Sequence, residues 1–141
     1  QTRHSGSLAE VIVGADVVIG VSGPGLITAA MVKSMASNAI VFAMANPTPE
    51  IMPDEALAAG AKVVATGRSD YANQINNVLA FPGIFRAVVK GRLTKITYAM
   101  EHAASDALAQ LVPHPTADEI IPSVFYPELA EIVAKAVQTA A

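Results

Sequence analysis

The stretch "DVVIGVSGPG", residues 16–25, decides the fold. Apolar and small residues run without a break from 17 to 21, a pattern typical of a strand that is covered on both faces. A serine, two glycines and a proline follow at 22–25, and these residue types favour a turn. The stretch therefore predicts a buried strand that ends in a tight polar loop.

The same pattern occurs twice more along the chain. "AIVFAMAN" predicts a strand at 40–45, and "AKVVATG" predicts one at 62–66. Helical segments lie before and between these strands. Ser7 with Glu10 and Thr28 supply helix starts, while Pro53 and Gly60 fit a first turn and a stop. Strand and helix in alternation predict an α/β fold with three parallel strands.

The second half of the chain predicts helices instead of strands. The first contains an apolar stripe, and the last segment repeats that spacing. A proline-rich loop at 112–127 should separate the two helices, and no linker divides the chain into two domains. The stripe residues are Ile96, Met100, Ala103, Ala107, Leu108 and Leu111 in the first helix, and Leu129, Ile132, Val133, Ala136 and Val137 in the second.

Composition excludes several classes of protein. The 141 residues are 52% hydrophobic, carry a net charge of −3 and include no cysteine. Without a run of Lys or Arg, we expect no nucleic acid partner. Without an apolar run of about 18 residues, we expect no membrane span, and without cysteine there is neither a disulfide framework nor a thiolate metal site. We interpret the chain as a soluble, cytoplasmic protein.

Polar residues follow each of the three predicted strands. The exits are "SGPG" at 22–25, "NPTPE" at 46–50 and "GRSD" at 67–70. Because parallel strands present their carboxyl ends at one edge of a sheet, we expect these loops to line one cleft. The amides of Asn73, Asn76 and Asn77 should lie over it. Amides donate to carboxylates and accept from hydroxyls, which suits a small hydroxy or keto acid and a carboxamide-bearing cofactor.

Simpler interpretations compete with each of these. "SGPG" and Asn46 with Pro47 are also ordinary turn sequences, and Arg68 with Asp70 is also a plausible solvated ion pair. Asn76 and Asn77 could instead cap a helix that begins near Val78. The three histidines, His4, His102 and His114, are scattered along the chain. Because no nucleophile–base arrangement or metal-ligand spacing is present, we predict neither a catalytic residue nor a metal ligand.

Three stretches together resemble a known family. "ADVVIGVSGPGLITAAMV", "FAMANPTPEI" and "ATGRSDYANQINNVLAFPGIFRA" closely resemble the nicotinamide-cofactor domain of bacterial-type malic enzymes. The likeness is collinear over 7–86 and looser beyond, where "EIIPSVFYPEL" still looks like the closing segment of the family. The resemblance implies oxidation of malate by NAD or NADP and decarboxylation to pyruvate and carbon dioxide, with Mg or Mn.

The resemblance also implies roles for individual residues. In the family, the asparagine after the second strand lies at both cofactor and substrate, which here is Asn46. The paired asparagines before "FPG" contact substrate and nicotinamide, which here are Asn76 and Asn77. The loop of the first exit lies along the cofactor. The implied cofactor-binding residues are thus Ser22, Gly23, Pro24, Gly25, Asn46 and Asn77, and the substrate-binding residues are Asn46 and Asn76.

Several family features are missing from this sequence. In members of the family, segments that precede this one supply the Gly-rich phosphate turn and the residue that reads the ribose 2′ position. They also supply the catalytic tyrosine and lysine and the acidic metal ligands. We therefore expect 1–141 to be the C-terminal portion of a partial Rossmann-like, doubly wound domain. Such a chain should be inactive alone and should act with the upstream part of the same enzyme, as a homo-oligomer.

Two other classes remain open. One is the C-terminal part of another two-domain NAD(P)-dependent dehydrogenase, which also uses an α/β cofactor domain with polar strand exits. The other is a non-catalytic assembly piece, whose Ala- and Val-rich helical stripes would pack on another chain. The sequence does not distinguish NAD from NADP.

Overall fold

A computed structural model describes residues 5–141, which form two compact units, the first ending at Ile75 and the second spanning Asn76–Ala141. The boundary falls in a stretch that lacks the Gly- and Pro-rich composition of a linker. The first unit contains α1 (Leu8–Val11), β1 (Val17–Gly20), α2 (Ala29–Ser34), β2 (Ile40–Ala43), α3 (Pro53–Ala58) and β3 (Val63–Thr66). The second contains a short 3-10 helix (Asn77–Leu79), α4 (Phe81–Gly91), α5 (Tyr98–Gln110) and α6 (Leu129–Thr139).

The three strands form one parallel sheet in the order β1-β2-β3. Their last residues are in register, because Gly20 pairs with Ala43 and Ala43 pairs with Thr66. This confirms the predicted α/β fold and its three parallel strands. It also confirms that the three strand exits share one edge of the sheet.

Local sequence signals set the helix ends of the first unit. The Thr28 hydroxyl accepts a hydrogen bond from the Met31 N–H at 3.3 Å and so caps α2. Pro53 begins α3, and Gly60 follows it with a φ of 105°, a conformation that favours glycine. At α1 the Glu10 carboxylate accepts from the Ser7 N–H at 2.7 Å. Each of these predicted starts and stops is confirmed.

One face of the sheet carries the core of the first unit. Val41 of β2 is fully buried, and α2 and α3 contribute Val32 and Ala56 to the same cluster.

The other face of the sheet is more exposed at β1 than the sequence predicts. Val17, Ile19 and Val21 are 47%, 60% and 78% exposed, so the expectation that this strand is covered on both faces is wrong within residues 5–141. The reason is that β1 is an outer strand and the helices pack on the opposite face.

The core of the second unit lies among α4, α5 and α6 and includes Ala87, Met100 and Val133. Most of the predicted stripes are confirmed, but Ile96 lies outside α5 and is exposed, and Ala104 is buried where the half-buried Ala103 was expected. Residues 112–128 form turns, as predicted for the proline-rich loop. Every helix within residues 5–141 is too short or too polar to cross a membrane.

Helix α4 approaches α6 closely at Gly83. A Cβ atom at Gly83 would lie 2.5 Å from the Cβ of Val133 and 3.0 Å from the Ala130 carbonyl oxygen. We expect Gly83→Ala to lower the free energy of unfolding by about 1–3 kcal/mol through overpacking, although alanine favours helix more than glycine does. Denaturant unfolding measures the change. Gly91→Ala is the matched control, because its nearest neighbours are atoms of the Leu93 side chain at 3.1–3.5 Å, which need to shift by only a few tenths of an ångström. Equal effects of the two substitutions would contradict this account.

Candidate functional site

The loops that follow β1 and β2 are joined by backbone hydrogen bonds. The Gly25 N–H donates to the Pro49 carbonyl at 3.3 Å, and the Ile27 N–H donates to the Glu50 carbonyl at 3.1 Å. The second loop begins with a cis peptide bond between Asn46 and Pro47. Residues 22–27 and 46–50 therefore form one connected piece at the carboxyl edge of the sheet.

The side chain of Glu50 lies at the centre of this piece. Glu50 is fully buried, and its Oε1 accepts hydrogen bonds from the Ser22 N–H at 2.7 Å and the Ser22 hydroxyl at 3.0 Å. Its Oε2 accepts from the Ala45 N–H at 3.0 Å. A Cβ atom at Gly20 would lie 2.5 Å from the carboxyl carbon of Glu50, so only glycine fits at the end of β1. As the last residue of the exit 46–50, Glu50 was expected to line the cleft, but its carboxylate is buried and binds backbone N–H groups instead.

Glu50 is charged at neutral pH. Burial raises the pKa of its carboxyl group, but hydrogen bonds from the N–H groups of Ser22 and Ala45 and from the Ser22 hydroxyl outweigh it. The net effect is a pKa below the ordinary value of 4.5. A buried carboxylate is stable here because three donors converge on it.

These contacts limit the groups that the first loop can offer to a ligand. The N–H groups of Ser22, Gly25 and Ile27 all donate to the 46–50 segment. What the loop presents outward is the exposed surface of Pro24 and Gly25, and Gly25 has a φ of 71° that favours glycine. Asn46 is also exposed.

The third strand end carries polar groups of two kinds. Arg68 and Asp70 form an exposed ion pair at 2.6 Å, which confirms the simpler interpretation of "GRSD". The hydrogen bond from Arg68 lowers the pKa of Asp70. Thr66, the last residue of β3, is fully buried, and its hydroxyl has no hydrogen-bond partner among the described residues. A buried hydroxyl favours a polar partner, and none of the described residues supplies one here.

Asn73 does not lie over a cleft. It is 7% exposed, and its amide nitrogen donates to the Val64 carbonyl at 3.0 Å. Just after it, the Ile75 N–H donates to the Thr66 carbonyl at 2.8 Å, so the segment pairs beside β3. Asn73 also has a φ of 55°, a conformation that asparagine tolerates. Its expected place among the ligand-facing amides is therefore wrong, and its role is structural.

Asn76 and Asn77 open the second unit, and both are exposed. The Asn76 side-chain oxygen accepts from the Val78 N–H at 3.0 Å and caps the 3-10 helix Asn77–Leu79. The capping interpretation is thus confirmed for Asn76. A cap engages only the oxygen of the amide, so it does not exclude a contact between the –NH₂ group and a ligand. The ligand roles of Asn46, Asn76 and Asn77 remain predictions.

The described part of the chain does not offer a complete metal site. Between residues 5 and 141, no three His, Asp or Glu side chains lie close enough together to hold a metal ion. His102 and His114 are exposed, and His4 lies outside the described residues. No catalytic step through a metal is therefore assigned to these residues.

Comparisons with known proteins agree with the geometry. The sequence matches the family described as "Malic enzyme, NAD binding domain" over residues 1–141. It is 57% identical to the bifunctional malic/malolactic enzyme of Bacillus subtilis, covering 100% of this chain and 35% of that protein. It is 54% identical to the NAD-dependent malic enzyme of Geobacillus stearothermophilus, covering 96% and 29%. Enzymes named as NADP-dependent malic enzymes also match.

The structural comparison gives the same result. The crystal structure of the NAD-dependent malic enzyme of Thermotoga maritima superposes with a TM-score of 0.93 and 44% sequence identity, covering 99% of this chain and 36% of that one. The chain thus spans about a third of the length of these relatives. The sequence match over residues 1–141 and the shared fold show that this chain belongs to the malic enzyme family, within its NAD-binding domain.

Proposed function

We propose that this chain forms part of an enzyme that oxidises malate with NAD or NADP and decarboxylates the product to pyruvate and carbon dioxide. The observation that carries this proposal is the family match over residues 1–141. The common edge of the three strand ends supports it, since ligands of parallel sheets bind there. In this enzyme the chain supplies loops that contact cofactor and substrate.

Asn46, Asn76 and Asn77 hold the ligands in this proposal. Asn46, directly beyond β2, contacts both cofactor and substrate, Asn76 contacts substrate, and Asn77 contacts the nicotinamide. Each amide can donate to a carboxylate or carbonyl oxygen and accept from a hydroxyl group, and the three side chains are exposed. Their chemical task is to orient malate and the carboxamide, since correct orientation removes much of the entropic part of the barrier.

The loop 22–25 contacts neutral portions of the cofactor in this proposal. The N–H groups of Ser22 and Gly25 already donate within the protein, and the charged Glu50 lies behind the loop. A phosphate group would meet a nearby negative charge and few available donors. The loop therefore offers a close-packing surface of glycine and proline, and the phosphate contacts come from another part of the longer enzyme.

The remaining chemistry belongs to other segments of the longer enzyme. When bound, the nicotinamide accepts the hydride, and a divalent ion, Mg or Mn, polarises the keto oxygen. We propose that the metal ligands and the acid–base pair lie outside this chain, in the upstream part of the same polypeptide.

Each unit carries a row of exposed apolar side chains, which supports the proposal that other segments of the enzyme pack against it. In the first unit, Val17, Ile19 and Val21 form an exposed row along the outer strand, and in the second, Phe81 and Phe85 are exposed on α4. We propose that further segments of the same enzyme cover these rows and that the enzyme is a homo-oligomer in the cytoplasm. Sedimentation velocity of the longer enzyme tests the assembly, and a monomer would contradict the proposed homo-oligomer. Cell fractionation tests the location, and recovery outside the cytoplasmic fraction would contradict it.

The experiment is an assay of the longer enzyme that carries this sequence, with malate, Mn and each cofactor in turn. We expect reduced nicotinamide, pyruvate and carbon dioxide in equal amounts. Lactate is measured as well, because the 57% identical relative is named as a malic and malolactic enzyme. Absence of malate-dependent cofactor reduction with both NAD and NADP would overturn the proposal.

A further inference from the structure

We propose that Glu50 is a positioning residue, whose carboxylate holds the loop 22–27 and the backbone beside Asn46 in the one arrangement that binds ligand. This inference rests on the proposed function, because Asn46 is the residue through which Glu50 acts. Glu50 itself is fully buried and touches no ligand in this account. It stabilises the geometry of the site from behind.

The contacts of Glu50 cover both loops. Its side chain binds Ser22, the first residue of one loop, at 2.7 and 3.0 Å, and Ala45, which directly precedes Asn46, at 3.0 Å. Its own carbonyl accepts from the Ile27 N–H at 3.1 Å. Moving Glu50 would therefore release both the loop 22–27 and the backbone beside Asn46. The backbone at Asn46 would then adopt several conformations, and the ligand would have to select one of them.

Only a carboxylate satisfies this arrangement. Both Oε1 and Oε2 of Glu50 accept from backbone N–H groups, and a carboxylate has acceptors on both arms. In Glu50→Gln, either orientation of the amide turns its –NH₂ group toward the N–H of Ser22 or of Ala45. One backbone donor is then left buried without an acceptor. Hydrogen bonds to a charged acceptor are also stronger than those to a neutral one.

The end of β1 is shaped around the same carboxylate. Gly20 leaves the space that the Glu50 side chain fills, and a Cβ there would lie 2.5 and 2.7 Å from its carboxyl carbon and Oε1. Gly20→Ala should thus displace the carboxylate without altering its charge. The two variants disturb the same contacts by different means, so they should have similar effects on ligand binding.

The test is a double-mutant cycle in the longer enzyme with Glu50→Gln and Asn46→Ala. We expect Glu50→Gln alone to lower kcat/KM for malate and weaken cofactor binding by about ten- to a hundredfold, because small misplacements of a site group have effects of this size. When Asn46 is already alanine, the same substitution should have a much smaller effect. Independent, multiplying effects would overturn the proposal, since a purely structural residue would act regardless of Asn46.

Two controls separate positioning from loss of stability. Val41→Ala removes a fully buried side chain from β2, so it should lower the melting temperature while leaving cofactor affinity unchanged. A loss of cofactor affinity in Val41→Ala equal to that in Glu50→Gln would overturn the proposal. If Glu50→Gln does not fold, Gly20→Ala takes its place in the cycle, because it displaces the same carboxylate from a position that has no ligand role in this account.

The cycle is read both on kcat/KM and on the cofactor Kd from calorimetry, so the two proposals can fail separately. A wild-type enzyme that binds cofactor without oxidising malate overturns the proposed function, and the Kd cycle still decides the role of Glu50. An active wild type with no coupling between Glu50 and Asn46 overturns the positioning role alone. A wild type that binds neither NAD nor NADP overturns both.

Discussion

The chain of 141 residues by itself is expected to reduce neither NAD nor NADP with malate and to leave oxaloacetate intact. Hydride transfer requires the nicotinamide to be held against the substrate carbon, and that positioning supplies a large part of the rate enhancement. In our proposal the chain contributes loops to such a site, and the phosphate contacts come from another segment. Decarboxylation further needs a metal and an acid–base pair.

The measurement is the absorbance of reduced nicotinamide with malate, Mn and each cofactor, beside a pyruvate assay with oxaloacetate. The longer enzyme at equal molar concentration is the positive control. Activity should appear when the upstream segment is restored to the chain. Malate-dependent and metal-dependent reduction by the chain alone would show that the catalytic groups lie within these residues and would contradict the account.

Asn46→Ala in the longer enzyme is expected to lower malate turnover by about ten- to a hundredfold with little change in melting temperature. Asn46 is exposed in this structure, so its amide is not required by the fold. In our proposal the amide becomes buried against a polar group when ligand binds, and its removal leaves that group without a partner. Gln138→Ala, which removes an exposed amide from α6, is the matched control and should leave turnover unchanged.

Asn76→Ala should differ from Asn46→Ala in one respect. Its side chain caps the 3-10 helix Asn77–Leu79, so the substitution should lower stability by about 1 kcal/mol as well as lower turnover. Unchanged kinetics with a lowered melting temperature would support a capping role alone. Unchanged kinetics for Asn46→Ala would contradict the ligand role of the second strand exit.

The sequence predicts those parts of the fold that depend on near neighbours. The apolar runs at 17–21, 40–45 and 62–66 correspond to the three strands, and Thr28 and Pro53 begin helices as expected. These signals depend on residues only three or four positions apart, so they can be recognised in the sequence without the tertiary structure. The common edge of the strand exits then follows from the parallel order of the sheet.

The remaining features depend on contacts between distant residues. Glu50 binds Ser22, which lies 28 residues earlier, and nothing near Glu50 in the sequence identifies this partner. The burial of Asn73 depends in the same way on the Val64 carbonyl. In α5, alanine occurs at many positions, so the sequence does not define which alanines face the core. The spacing of apolar residues therefore predicts that Ala103 is buried, whereas the structure buries Ala104.

The central claim is that the strand exits of this chain contact cofactor and substrate in a malic enzyme. A crystal structure of the longer enzyme with NAD or NADP and an unreactive malate analogue tests it most directly. We predict that the Asn46 amide lies within hydrogen-bonding distance, about 3 Å, of ligand atoms and that the loop 22–25 packs along the cofactor. Ligand bound away from the carboxyl edge of β1, β2 and β3, with Asn46 still facing solvent, would contradict the account.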